Sequence, residues 1–155
     1  NREYFGKYPL KVGKVIFQEF IDNVDHDWKI LVFGNKIFTL KRYNRKNDFR
    51  ASGSGLFDFQ STPDKVVLDF AVKIKEILKT PWVSLDIICK DGNCYLIEYQ
   101  CVHFGLLTIV NSTKHYEIIN NSYIEVKGKI DLDKLFAEEL YTFIMDELNH
   151  RNSER

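Results

Sequence analysis

The chain has 155 residues, 45% hydrophobic and 28% charged, the balance of an ordinary globular domain with room for one sizeable core. Its 22 basic and 22 acidic residues cancel, which argues against a nucleic-acid partner. No apolar run is long enough to span a bilayer and no signal peptide opens the chain, so a membrane location is not expected. Three cysteines, Cys89, Cys94 and Cys101, lack zinc-site spacing, and the odd number fits a reduced, cytoplasmic protein. The chain opens on Asn1 and its one methionine is Met145, so we read residues 1–155 as a single domain cut from a longer protein.

In chain order, Lys14 to Ile21 reads as a buried strand. Trp28 to Phe33 and Lys36 to Tyr43 read as two strands joined at Gly34-Asn35, a tight hairpin signal. Asn44 to Thr62 is polar and glycine-bearing, hence loop. Thr62 and Pro63 are suited to cap and open a helix that runs to about Lys79, with Val66, Val67, Phe70, Ile74, Ile77 and Leu78 as its apolar face. A strand hairpin follows over Val83 to Gln100. Cys101 to Lys129 is irregular, with a short strand at Tyr123 to Val126. A last helix runs from about Leu132 to Asn149, with Leu135, Leu140, Phe143, Ile144 and Leu148 toward the core. The fold class expected is α+β: an antiparallel sheet with both helices packed on one face.

The hairpin over Val83 to Gln100 carries the chemistry. Two apolar runs flank Asp91-Gly92. A two-residue Asp-Gly loop would pair Asp86 with Ile97 and put Glu98 on the opposite face. A three-residue Asp91-Gly92-Asn93 loop would set Asp86 opposite Glu98 and Ser84 opposite Gln100. We favour the second register, in which Cys89 and Cys94 point to opposite faces and cannot bridge. Two carboxylates facing each other across strands repel, so something must compensate them. A hard divalent cation is the natural candidate, since Mg²⁺ is commonly held by one or two carboxylates plus substrate phosphates.

Basic residues cluster upstream. Alternation over Lys36 to Tyr43 puts Arg42 on a face with Phe38 and Leu40, where an arginine wants an anionic partner. Arg50-Ala-Ser-Gly-Ser-Gly55 has the composition of a backbone nest for phosphate oxygens, although no Gly-Lys-Ser/Thr follows it as in a P-loop. Cys101 and His103 lie too close along one segment to argue for a catalytic pair.

Together these residues resemble the C-terminal part of an ATP-grasp ligase, of the ribosomal-protein glutamate ligase and glutathione synthetase type. The resemblance runs from about Val15 to Gly105. Gln18-Glu19-Phe20-Ile21 resembles the hinge strand that lines the adenine pocket. Asp27-Trp28-Lys29 resembles the family's Asp-x-Arg, with lysine for arginine. Gly34-Asn35-Lys36-Ile37 followed by Lys41-Arg42 resembles the hairpin whose arginine contacts the terminal phosphate. Asp48-Phe49-Arg50-Ala51-Ser52 resembles a motif that usually ends in asparagine. Asp86, Glu98 and Gln100 fall where the family has its magnesium-binding Asp, Glu and Asn, with glutamine in place of that asparagine. Gly105 resembles the glycine after the metal strand.

The resemblance implies an ATP- and Mg²⁺-dependent ligase that joins a small-molecule or peptide carboxylate to an amine or thiol through an acylphosphate. It implies that Asp86, Glu98 and Gln100 hold Mg²⁺ and that Arg42 and Lys29 stabilise phosphate charge. Arg50, Ser52 and the Gly53 to Gly55 loop would face the acylphosphate or second substrate. The family's N-terminal subdomain has no counterpart before Lys14, so this chain is expected to hold about half of a nucleotide site and not to turn over alone. Two alternatives stay open: an ATP-grasp kinase acting on a hydroxyl, and a non-catalytic nucleotide-binding or interaction module, which the substitutions at Ser52 and Gln100 favour.

Overall fold

The computed structural model describes residues 17–153. Two strands, β1 (His26–Phe33) and β2 (Lys36–Tyr43), form the first hairpin. Gly34 opens its turn at φ 52°, the conformation that a type II′ turn demands of its first central residue. A short β3 (Phe57–Asp58) pairs with the far end of β2. Helix α1 (Lys65–Leu78) crosses over to the second hairpin, β4 (Trp82–Lys90) and β5 (Asn93–Gln100). Then come a short α2 (Leu107–Asn111), a third hairpin of β6 (Lys114–Ile119) and β7 (Ser122–Lys127), and the long α3 (Leu132–Ser153). The strands make one seven-stranded antiparallel sheet ordered β5-β4-β1-β2-β6-β7, with β3 beside β2. The protein is therefore α+β, as its alternating pattern implies.

Several local expectations are corrected. Phe17 to Ile21 is not a strand. It lies against the edge strand β5, where the Gln18 amide donates to the Ile97 carbonyl at 3.3 Å; Phe17 and Phe20 are exposed. Lys14 to Ile16 lies outside the described residues. Helix α1 starts after Asp64 rather than Thr62, because the Thr62 hydroxyl is engaged elsewhere, by the Lys114 ammonium and the Tyr116 hydroxyl, each at 3.2 Å. Val66 and Ile77, expected in the core, are exposed. The stretch from Cys101 to Lys129 is a helix and a full hairpin. Asn120 and Asn121 both adopt positive φ there and turn β6 into β7, the type I′ arrangement that asparagine tolerates.

The acid hairpin reaches the favoured pairing by another route. Its loop has two residues: Asp91 and Gly92 take φ 51° and 78°, and Lys90 pairs with Asn93. A bulge then inserts Ile97 into β5, so that Leu96 faces Ile87 while Glu98 faces Asp86 and Gln100 faces Ser84. One extra residue flips every later side chain to the other face. The two-residue loop also places Cys89 directly opposite Cys94, and the two form a disulfide. The expectation that they point apart is thus overturned; Cys101 is the free cysteine.

The helices do not share one face. Trp28, Ile30, Val32, Val83, Leu85 and Ile87 form one core under Val67, Leu68 and Ala71 of α1. On the opposite face Leu31, Phe33 and Phe38 pack against Ile109 of α2 and Leu135 of α3. Phe33 stands edge-on to Phe136 at 5.0 Å and stacks with Trp82 at 5.7 Å. This second core covers only one end of its face. Leu140, Ile144 and Leu148 of α3, expected inside, are exposed, because α3 docks through its first turns and Glu139 takes a buried place beside Lys36 at 2.8 Å. The other end of the face, toward the first half of β1 and the second halves of β2 and β4, carries the polar residues.

Candidate functional site

The register alone assembles a charged row across four strands. Arg42 of β2 is the partner of Asp27 on β1, Lys29 of β1 is the partner of Asp86 on β4, and Asp86 is the partner of Glu98 on β5. Side chains on one face of directly opposed residues meet, and these do. Arg42 grips Asp27 through two hydrogen bonds of 2.7 Å, from Nε to Oδ1 and from Nη2 to Oδ2. Its Nη2 also lies 2.8 Å from Asp86 Oδ2, and Lys29 Nζ lies 2.9 Å from Asp86 Oδ1. Asp27, Arg42 and Asp86 are all less than a tenth exposed.

The like-charge clash of Asp86 with Glu98 is thus compensated within the chain, on the Asp86 side by two cations. Glu98 receives a 2.6 Å hydrogen bond from the Gln100 amide nitrogen. Burial raises the Asp27 carboxyl above the usual aspartate range, with the Arg42 hydrogen bonds pulling the other way. Burial works against the Arg42 guanidinium as well, but its hydrogen bonds to Asp27 and its attraction to Asp86 prevail and hold it firmly charged. The residue pattern anticipated an anionic partner for Arg42; it has two.

Beside this row lies a cavity of about 540 Å³. Asp86 and Glu98 form one side of it. Gln18, Glu19, Phe20 and Ile21 form another, and Arg50 and Ser52 a third, with Ile88 and Ile97 among its apolar lining. These segments are far apart in sequence. Lys29, Arg42 and Gln100 do not line the cavity among the described residues; they stand behind the acids that do. Phe20 meets Phe49 edge-on at 5.3 Å at the rim.

The loop carrying Arg50 and Ser52 is internally tied. Asp48 accepts from the Arg50 backbone N–H at 3.0 Å and from its guanidinium at 2.6 Å. The Arg50 side chain and backbone N–H hold the Asp48 carboxyl down to about 2. Arg45 donates to the Ser52 carbonyl at 2.9 Å. In the anticipated phosphate nest, the Arg50 N–H goes to Asp48 Oδ1 and the Ser54 N–H closes a turn on Ala51. Two amides of that segment are therefore spent internally, and Gly53 to Gly55 lies off the cavity wall.

Whether Asp86, Glu98 and Gln100 suit a cation can be judged from their atoms. All three offer hard oxygen donors, Glu98 is exposed, and Asp86 Oδ1 is buried with no aligned hydrogen bond among the described residues beyond its Lys29 contact. That chemistry fits Mg²⁺ completed by phosphate oxygens. Among the described residues no three His, Cys, Asp or Glu side chains cluster as a metal site. The set here has only two acids, and an amide would have to serve as the third ligand. No helix among the described residues is long and apolar enough to cross a membrane. Comparison of the chain with family models, with curated proteins and with solved structures finds no match.

Proposed function

We propose that this chain is the metal- and phosphate-binding portion of an ATP-grasp ligase, which activates a carboxylate as an acylphosphate. The observation that carries the reading is the cavity. The hinge-like Gln18 to Ile21, the loop pair Arg50 and Ser52, and the acids Asp86 and Glu98 come from three distant segments, and they line one space of about 540 Å³. That volume suits a nucleotide-sized ligand. Its apolar side, with Phe20, Ile21, Ile88 and Ile97, suits a flat base, and its acid side suits a cation-bound phosphate.

In the reaction a carboxylate oxygen takes the terminal phosphoryl group of ATP and ADP leaves. An amine or thiol then attacks the carbonyl carbon, loses a proton and displaces phosphate. Mg²⁺, held by Asp86, Glu98 and Gln100, would supply charge neutralisation of the phosphates. Lys29 and Arg42 act one step back: each lies against one Asp86 carboxylate oxygen and together they fix its direction, a preorganising role for a ligand. Arg50 and Ser52 line the cavity, and in this reading they would meet the transferred group or the second substrate.

Calorimetric titration of Mg-ATP into the protein, beside Asp86→Asn and Glu98→Gln, tests the reading. Magnesium-dependent binding that both substitutions weaken at least about tenfold is expected. Wild-type protein without such binding would sink the proposal. One observation favours a second reading, a nucleotide-binding module without catalysis: Asp86 already has two cationic partners, so the row is charge-balanced as it stands. Binding of ATP that ignores magnesium would select that reading.

A further inference from the structure

Ser84 sits on β4 two residues before Asp86, and on the same face. It is 1% exposed, and its hydroxyl finds no hydrogen-bond partner among the described residues. Buried hydroxyls are almost always paired, so an orphan one asks for an explanation. Its neighbours narrow the choice. On the β1 side its register partner is Leu31, which offers no polar side-chain atom. Trp82, further back along β4, gives its indole N–H to the Cys101 carbonyl at 2.9 Å. On the β5 side the register partner is Gln100.

Gln100 directs its amide nitrogen to Glu98 Oε1 at 2.6 Å. A cation shared by the same pair would call for the opposite turn of the carboxamide. An amide ligates a hard cation through its oxygen and never through its NH₂. With the carboxamide turned so that its oxygen meets a cation beside Glu98, the Gln100 nitrogen points away from that cation, toward another acceptor. Opposed residues on one sheet face hold their Cβ atoms about 4.5–5.5 Å apart, so Ser84 Oγ is within a glutamine's reach.

We propose that Ser84 is the positioning residue for Gln100: its hydroxyl accepts the amide N–H and so turns the carboxamide oxygen toward the cation held by Asp86 and Glu98. The hydroxyl left orphaned here is satisfied in the cation-bound state. A glutamine, one methylene longer than an asparagine, has the length to bridge to the neighbouring strand while still facing the acids. The inference rests on the magnesium reading above and deepens it, since it assigns a residue that the charged row does not include.

The test uses Ser84→Ala, Gln100→Ala and the double variant, read by thermal unfolding of metal-free protein and by titration with Mg-ATP. Metal-free Ser84→Ala is expected to melt at or above the wild-type temperature, because it removes a buried hydroxyl without a partner. Its magnesium-dependent affinity is expected to fall about tenfold. In the Gln100→Ala background the same substitution should change that affinity no further. A lower melting temperature for metal-free Ser84→Ala would show the hydroxyl already engaged and overturn the inference. Unchanged magnesium-dependent affinity, or an undiminished loss in the Gln100→Ala background, would overturn it while leaving the magnesium reading intact. A wild type that shows no magnesium-dependent binding removes both together, and is recognised before any variant is made.

Discussion

Arg42 shows how one residue sets the electrostatics of a face. Its guanidinium is buried among Asp27, Asp86 and the stem of β2, with a fork on one acid and a contact to the other. Taking a charge out of water is costly, and the cost is recovered only while the partners stay together. Removing Arg42 would leave two buried carboxylates with Lys29 as their remaining cation. Arg42→Ala is therefore expected to lower unfolding stability by about 3–5 kcal/mol in urea titration. The exposed α1 pair Lys65–Asp69, 2.7 Å apart, is the control, and Lys65→Ala should cost less than about 1 kcal/mol. An Arg42→Ala loss as small as that of Lys65→Ala would show that the row is solvated and not a buried network. The need of Arg42 for an anion was legible in the alternation of Lys36 to Tyr43. Its second acid was not, because Asp86 approaches from a strand more than forty residues later.

At the scale of elements, turns and alternation made the first two hairpins readable, and bulges and helix orientation did not follow. Asp91-Gly92 names its own turn, yet the opposition of Asp86 and Glu98 depends on Ile97, an ordinary strand residue that nothing in the sequence marks as extra. The pairing expected from a three-residue loop came from a two-residue loop plus a bulge, and the difference is the Cys89–Cys94 disulfide. Gly34 is the counterexample, a residue whose need is plain. Its φ is 52°, and a Cβ there would lie 1.8 Å from Glu139 Oε2, the carboxylate that pairs with Lys36. Gly34→Ala thus meets two costs, backbone strain and a collision. Gly55 shares the positive φ at 74° but has nothing among the described residues within 4 Å of its Cβ position. Gly34→Ala is expected to destabilise by about 2–3 kcal/mol and Gly55→Ala by about 1 kcal/mol. Equal midpoints for the two variants would mean that Glu139 yields freely and that α3 is not held at this turn.

Across the whole molecule, the sheet has α1 on one side and α2 and α3 on the other, and the two sides differ in how firmly they are held. The cavity itself could not be read from the sequence, because it is made where the Gln18 to Ile21 segment, the Arg50 loop and the β4–β5 hairpin converge. The placement of α3 was equally hidden: a helix with apolar residues on two opposite sides does not declare which one docks. Leu135, Phe136 and Glu139 face the sheet, while Leu140, Ile144 and Leu148 are turned outward. Such an arrangement predicts uneven local stability. Amides in β1 and β4 lie among residues with no exposure, such as Ile30, Leu31, Val32 and Leu85, and should exchange with solvent deuterium only through global unfolding. The amides of α3 beyond Thr142 have few buried side chains around them and should exchange through local fraying, at least about a hundredfold faster. Exchange read by mass spectrometry on peptides from β1 and from the end of α3 distinguishes the cases. Protection in the last three turns of α3 equal to that of β1 would mean that its outward apolar side is covered in solution.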